Sequence, residues 1–198
     1  MARGKAEQRE LLQELRRLYD DMETSYNETA SRIGLSCSGC RDNCCVSFFQ
    51  HHTYIEWAYF WEGLNACGAQ HKAAIRKQAE EYVERSREKL RQGLRPNLMC
   101  PVNESGWCSL YGFRLMICRL HGVPNIVRMP NGKMRSFPGC TVCQELTRNM
   151  NAPPAMDRTP FYHRLAELEK RFLGSKHGKM PKVNLTLAEI IVQGPPRI

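Results

Sequence analysis

Leu11, Leu15, Leu18 and Met22 recur at three- and four-residue spacing between charged side chains, which predicts an amphipathic helix over residues 5–33. Gly34 is placed to stop it. A second helix is predicted from about Thr53 to Leu64, burying Trp57, Phe60 and Trp61, with Thr53 and Glu56 spaced as a capping box. The third, over 69–92, is highly charged and keeps a thin apolar stripe at Ile75, Ala79, Tyr82, Val83 and Leu90, so one face should be docked. From Pro96 to Cys143 the pattern breaks into short pieces. Within them IVRMPNGKMRSF sets Asn131-Gly132 between two strand-forming runs, a hairpin signal. After a Pro-containing linker at 149–160, Phe161, Leu165, Leu168 and Phe172 mark a fourth helix, and Thr186 caps a short last one at about 187–192.

These elements predict a mostly α fold with a small β-hairpin, organised as a single domain around an irregular, cysteine-rich metal-binding centre. Residues 1–34 form the N-terminal amphipathic helix, 35–145 the cysteine-cluster core, and 146–198 a C-terminal helical extension packed on that core. The length of 198 residues suits one domain. Apolar runs are too short for a membrane-spanning helix, so no membrane partner is expected. The first residues have neither an apolar stretch nor a small-residue cleavage site, so no secretory signal is expected and a cytoplasmic, reducing compartment is.

Charge changes the picture modestly. The net +9 is uneven: −1 over residues 1–35, −2 over 36–67, and +4 in each of 68–99, 100–143 and 144–198. That excess could steer an anionic partner, nucleic acid or an acidic protein, but no run of five or six like charges occurs, which favours a solvated basic surface. Metal-bound cysteines would also be thiolates, which lowers the true charge.

The ten cysteines change it most. Cys37, Cys40, Cys44 and Cys45 spell C-x2-C-x3-C-C; Cys100, Cys108 and Cys118 follow; Cys140-x2-Cys143 closes the series; Cys67 stands alone and reads as a small buried hydrophobe. A C-x2-C turn lets two thiolates converge on one ion, so the other nine point to metal. A thiol–disulfide relay is disfavoured because Cys37 and Cys40 sit in a Gly/Asn loop rather than at the start of a helix after a strand. Adjacent side chains such as Cys44 and Cys45 tend to point apart, so the nine thiols suggest either two sites of about four or one cluster with spare thiols. Zinc would be structural and redox-silent; an iron–sulfur cluster would use the same ligands and add electron transfer or substrate binding.

The C-x2-C-x3-CC loop followed by a Glu-containing helix, then Cys100-Pro101, CSLYGFRLMICRLHG and PGCTVC, resembles the YkgJ-type cysteine-cluster family, described as zinc- or iron-chelating proteins, over about residues 35–145. The family's C-x-x-Y-x-x-R-P-x-x-C-R is matched by Cys108, Tyr111, Arg114, Cys118 and Arg119, with Leu115 in place of the proline. Three residues separate Cys40 from Cys44 where the commonest form has two, which leaves open whether Cys44 or Cys45 is the ligand. The family includes flagellin lysine methylases, so the resemblance implies metal and allows a protein- or peptide-modifying role. No glycine-rich S-adenosylmethionine loop is present.

Arg114 and Arg119 flank candidate ligands and would steady an anionic thiolate site, or else pair with a carboxylate or helix end. Tyr111 would hydrogen-bond a ligand sulfur or pack. His51, His52 and His121 are weaker candidates. No Ser-His-Asp arrangement, phosphate loop or HExxH motif appears, so enzyme status stays open. Two functions follow: an iron–sulfur protein with a redox or protein-modifying role and a protein or peptide as substrate or redox partner, or a structural zinc protein acting as a binding module for an acidic or nucleic-acid partner.

Overall fold

The computed structural model describes residues 4–38, 40 and 44–198. The chain is mostly helical with two small sheets, and it divides into two compact units, each drawn from separate stretches of sequence. Unit 1 comprises residues 1–44 and 118–172; unit 2 comprises 45–117 and 173–198. Both units draw on more than one of the three sequence segments. Among the described residues, no helix is long and apolar enough to cross a membrane.

Unit 1 is built on α1 (Lys5–Ile33). Its predicted stripe is the core: Leu11, Leu15, Leu18 and Met22 are all buried, and the same face continues through Tyr19, Ala30 and Ile33. Gly34 ends the helix in the left-handed region at φ 75°, donating its N–H to the carbonyls of Ala30 and Ser31, a conformation open to glycine at little cost. The fourth predicted helix is α6 (Thr159–Leu173), whose Phe161, Leu165, Leu168 and Phe172 are buried. Arg164 meets Asp21 and Arg171 meets Glu14, each at 2.6 Å, so α6 runs antiparallel to α1; at these exposed positions the pairs fix register more than they add stability.

The predicted hairpin is β3 (Asn125–Arg128) and β4 (Met134–Phe137), paired antiparallel with Arg128 opposite Met134 around the Asn131-Gly132 turn. A third strand, β5 (Met156–Asp157), lies parallel to β3 inside the segment expected to be linker. Two residues are too few to leave an alternation in sequence.

Unit 2 has α2 (Tyr54–Ala66) at its centre, buried nearly all round, including Trp57, Phe60 and Trp61. Its polar ring atoms find backbone partners: Trp57 Nε1 donates to the Gly194 carbonyl at 2.8 Å and Trp61 Nε1 to that of Ile190 at 3.2 Å. The expected capping box is absent. Thr53 Oγ1 donates instead to Glu56 Oε2, while Glu56, 3% exposed, accepts the Met116 N–H at 2.7 Å, at the first residue of the short helix α4 (Met116–Leu120). A carboxylate there satisfies an N–H that has no partner within the helix, so Glu56 ties α2 to α4 rather than capping its own helix. The box does form at α7 (Leu187–Gln193), between Thr186 and Glu189. Helix α3 (Ala69–Arg91) packs on α7 through Ile75, Ala79, Tyr82 and Val83, but Leu90, expected in the docked stripe, is 50% exposed. A two-residue hairpin, β1 (Asn103–Glu104) with β2 (Trp107–Cys108), completes the unit.

His51 is fully buried in unit 2, its backbone bridged to Leu185. Burial, and secondarily the neighbouring His52, hold its imidazole neutral with a pKa of about 3 against an ordinary 6.5. Between these values the unfolded chain binds a proton that the folded chain refuses, so stability is complete above pH 6.5 and is lost as pH falls toward 3. Urea denaturation should lose about 1.4 kcal/mol per pH unit below 6.5. Above pH 5, where carboxylates contribute little, His51→Gln should flatten that slope. An unchanged slope would assign it to another group.

Candidate metal centre

The nine candidate ligands are divided between the units, and the division falls between Cys44 and Cys45. Unit 1 holds Cys37, Cys40, Cys44, Cys118, Cys140 and Cys143; unit 2 holds Cys45, Cys100 and Cys108, together with the lone Cys67. All ten are free thiols.

In unit 1 the first and third cysteine groups meet beside α1. Tyr26 continues the α1 stripe one turn beyond Met22, and its hydroxyl lies 3.8 Å from Cys37 Sγ. The phenol pKa is pushed well above its ordinary value, by burial first and then by the Cys37, Cys140 and Cys44 thiols around it. Opposite lies Gly122, where a Cβ would collide with the Tyr26 hydroxyl. The Gly122 carbonyl in turn accepts the Cys140 N–H at 2.9 Å. Cys140 is the N-cap of α5 (Thr141–Thr147), and Cys143 lies buried in its first turn, its thiol pushed up to about 11 by burial and then by Cys140. This C-x2-C therefore opens a helix shortly after strand β4, unlike the loop pair Cys37 and Cys40.

Gly139 locks this corner. Its φ is 87°, and a Cβ there would strike the Gly122 carbonyl and come within 3.0 Å of Cys143 Sγ. Gly139→Ala should cost on the order of 3 kcal/mol, combining backbone strain with overpacking. Gly132→Ala, at φ 79° with open space around it, should cost only about 1 kcal/mol. Thermal melts of the two variants test the difference, and equal losses would contradict a close-packed Gly122–Gly139 contact.

Two buried guanidinium groups belong to the same unit. Arg119, next to Cys118, stacks 4.3 Å from the Tyr19 ring centroid and stands 3.8 Å from the Glu23 carboxylate. Arg158, 5% exposed, donates to the Leu120 carbonyl at 2.8 Å, and its Nε has no hydrogen-bond partner among the described residues. Buried cations suit an anionic neighbour.

In unit 2 the Cys100 N–H donates to the Cys45 carbonyl at 2.9 Å, the Asn103 N–H donates to the Cys100 carbonyl, and Asn103 pairs with Cys108 in the β1–β2 hairpin. These contacts draw Cys45, Cys100 and Cys108 into one neighbourhood. The Cys100 thiol also reaches α3, where burial first, then Cys100 and Glu189, push the Tyr82 phenol up to about 12. Cys67 is half-buried, its Sγ 3.6 Å from the Gly63 carbonyl.

The remaining sequence candidates have other neighbours. The Arg114 guanidinium stacks on the half-exposed Tyr111 ring at 3.5 Å, and its Nε donates to the Tyr111 carbonyl. His52 Nδ1 contacts the Val183 carbonyl at 3.3 Å. Sequence reading missed Tyr26, Gly122, Gly139 and Arg158. Only Tyr26 left a local signal, since it extends the Leu11–Met22 spacing by four residues.

Among the described residues, no three His, Cys, Asp or Glu side chains stand close enough to hold an ion as they lie. The chemistry of the donors suits a thiophilic ion, since cysteine thiolates are the ligands that structural zinc and iron–sulfur centres use. No family model, curated protein or solved structure matches the chain.

Proposed function

We propose that this is a cytoplasmic metal-binding cysteine-cluster protein of the YkgJ type, whose centre is an iron–sulfur cluster with a redox or a protein- or peptide-modifying role. The observation that carries the reading is that the Tyr26 hydroxyl lies 3.8 Å from Cys37 Sγ and against Gly122, whose carbonyl accepts the Cys140 N–H, so that two distant sequence groups approach one another in one unit. Cys40, Cys118 and Cys143 of the same unit supply the further ligands, and Cys45, Cys100 and Cys108 provide a second thiol group. When bound, the cluster would supply one-electron transfer or a coordination position for a partner's atom. The chain's own part is to hold the thiolates and to keep water from Cys143, with Arg119 and Arg158 as buried positive charge in the same unit. The natural partner is a protein or peptide, as substrate or redox partner.

A second reading is a structural zinc protein that binds an acidic or nucleic-acid partner. It is favoured by the β3–β4 hairpin, where Arg128, Lys133 and Arg135 are exposed and residues 125–137 include no acidic residue. The visible spectrum of anaerobically purified protein separates the two. The iron–sulfur reading predicts a brown protein that bleaches with dithionite. A colourless protein with stoichiometric zinc and no acid-labile sulfide would replace it with the second.

A further inference from the structure

Beside the buried Val83, helix α3 carries exposed side chains that unit 2 leaves uncovered. Glu80, Val83, Glu84, Arg87, Leu90 and Arg91 recur at three- and four-residue spacing, so they form a single stripe along the helix. That stripe walls an open groove of about 700 Å³, with Val192 of α7 also lining it. Val83, Val192 and Leu90 supply its apolar surface, and Leu90 is half exposed although its spacing continues the buried stripe of the helix. The charges are not mixed at random. Both carboxylates lie in the N-terminal half of the stripe and both guanidinium groups in the C-terminal half.

That arrangement selects its occupant. A wholly acidic peptide would match Arg87 and Arg91 and be repelled by Glu80 and Glu84, and a wholly basic one the reverse. The matching surface has an apolar patch beside its charges and carries the same two kinds of charge in the opposite direction. A second copy of α3 laid antiparallel presents that surface, because a two-fold axis crossing the stripe between Glu84 and Arg87 exchanges its acidic and basic halves. We infer that the groove is the contact of a symmetric homodimer in which α3 packs antiparallel on α3. Glu80 and Glu84 of each copy face Arg91 and Arg87 of the other, and the two Leu90 side chains fill the grooves. The ion pairs now made within the helix, Arg76–Glu80 at 3.1 Å and Arg91–Glu88 at 2.6 Å, are exposed and exchange at little cost.

Sedimentation of the full chain, in reductant so that no intermolecular disulfide contributes, provides the test. The wild-type chain should dimerise at concentrations up to roughly 100 µM, more weakly as salt rises. Reversing one half, Glu80→Lys with Glu84→Lys, or the other, Arg87→Glu with Arg91→Glu, sets like charges opposite each other in both contacts. Each double variant should lose at least about tenfold in dimer affinity, with unchanged circular dichroism and melting temperature. An equimolar mixture of the two should recover the dimer as a heterodimer, because opposite charges face again. A wild-type chain that stays monomeric over this range would overturn the inference. So would a dimer indifferent to either reversal, or a mixture that stays monomeric, since the groove would then serve a different protein.

Discussion

Replacing Cys37 or Cys140 with serine is expected to empty the metal centre proposed for unit 1, with metal content falling at least about tenfold under conditions that load the wild-type chain. The two residues come from opposite ends of the cysteine series, yet both thiols act on the same phenol, Tyr26. Serine keeps the size and removes the soft, ionisable ligand, so a loss reports coordination rather than packing. Cys67→Ser should leave loading intact, because that thiol lies in unit 2 beside the Gly63 carbonyl at the end of α2. Cys100→Ser or Cys108→Ser should spare the centre in unit 1 and remove only metal held in unit 2. Metal analysis of the purified variants, normalised to protein, reads all three outcomes. Equal loss from Cys37→Ser and Cys67→Ser would show that the measurement reports general unfolding, and the assignment to unit 1 would fail.

The division of the nine thiols illustrates what the sequence holds and what it withholds. Adjacent side chains tend to point apart, which makes Cys44 and Cys45 poor partners on one ion, and the boundary between the two units falls between them. Which distant cysteine approaches which was not legible, because Cys140 is held near Tyr26 by a tertiary contact, its N–H donating to the Gly122 carbonyl. Elements set by local chemistry were legible. The α1 stripe, the Gly34 stop, the aromatic core of α2, the Asn131-Gly132 hairpin and the Thr186 cap all follow from spacing and turn residues within a few positions. Elements set by tertiary contact were not. Glu56 has the spacing of a capping-box partner for Thr53, yet burial gives it the Met116 N–H instead. Leu90 has the spacing of a docked residue, yet the unit ends before covering it.

Stripping the proposed metal should lower stability more than any single substitution considered above. Separated thiols from two sequence groups can be held together by an ion that the unfolded chain does not gather, so binding free energy becomes folding free energy, about 10–16 kcal/mol for thiolate zinc sites at neutral pH. Only part of that needs to survive in a chain that has other core to rely on. Leu15, Leu18 and Met22 still pack, so the stripped chain should stay helical while its melting temperature falls by roughly 10 °C or more. The loss should be concentrated around Cys37, Gly122 and Cys140, where hydrogen exchange should speed up most. Re-adding metal under reductant should restore both melt and exchange. A chelated chain that melts unchanged would mean that the thiols contribute nothing to the fold.

The metal and acid-labile sulfide content of the wild-type chain, purified without oxygen, tests the central claim most directly. The account predicts tightly bound, thiolate-ligated metal, with iron and sulfide in matching amounts. A metal-free chain with ten titratable thiols, in which Cys140 and Cys143 at the start of α5 cycle between dithiol and disulfide, would contradict it and make this a thiol–disulfide protein instead.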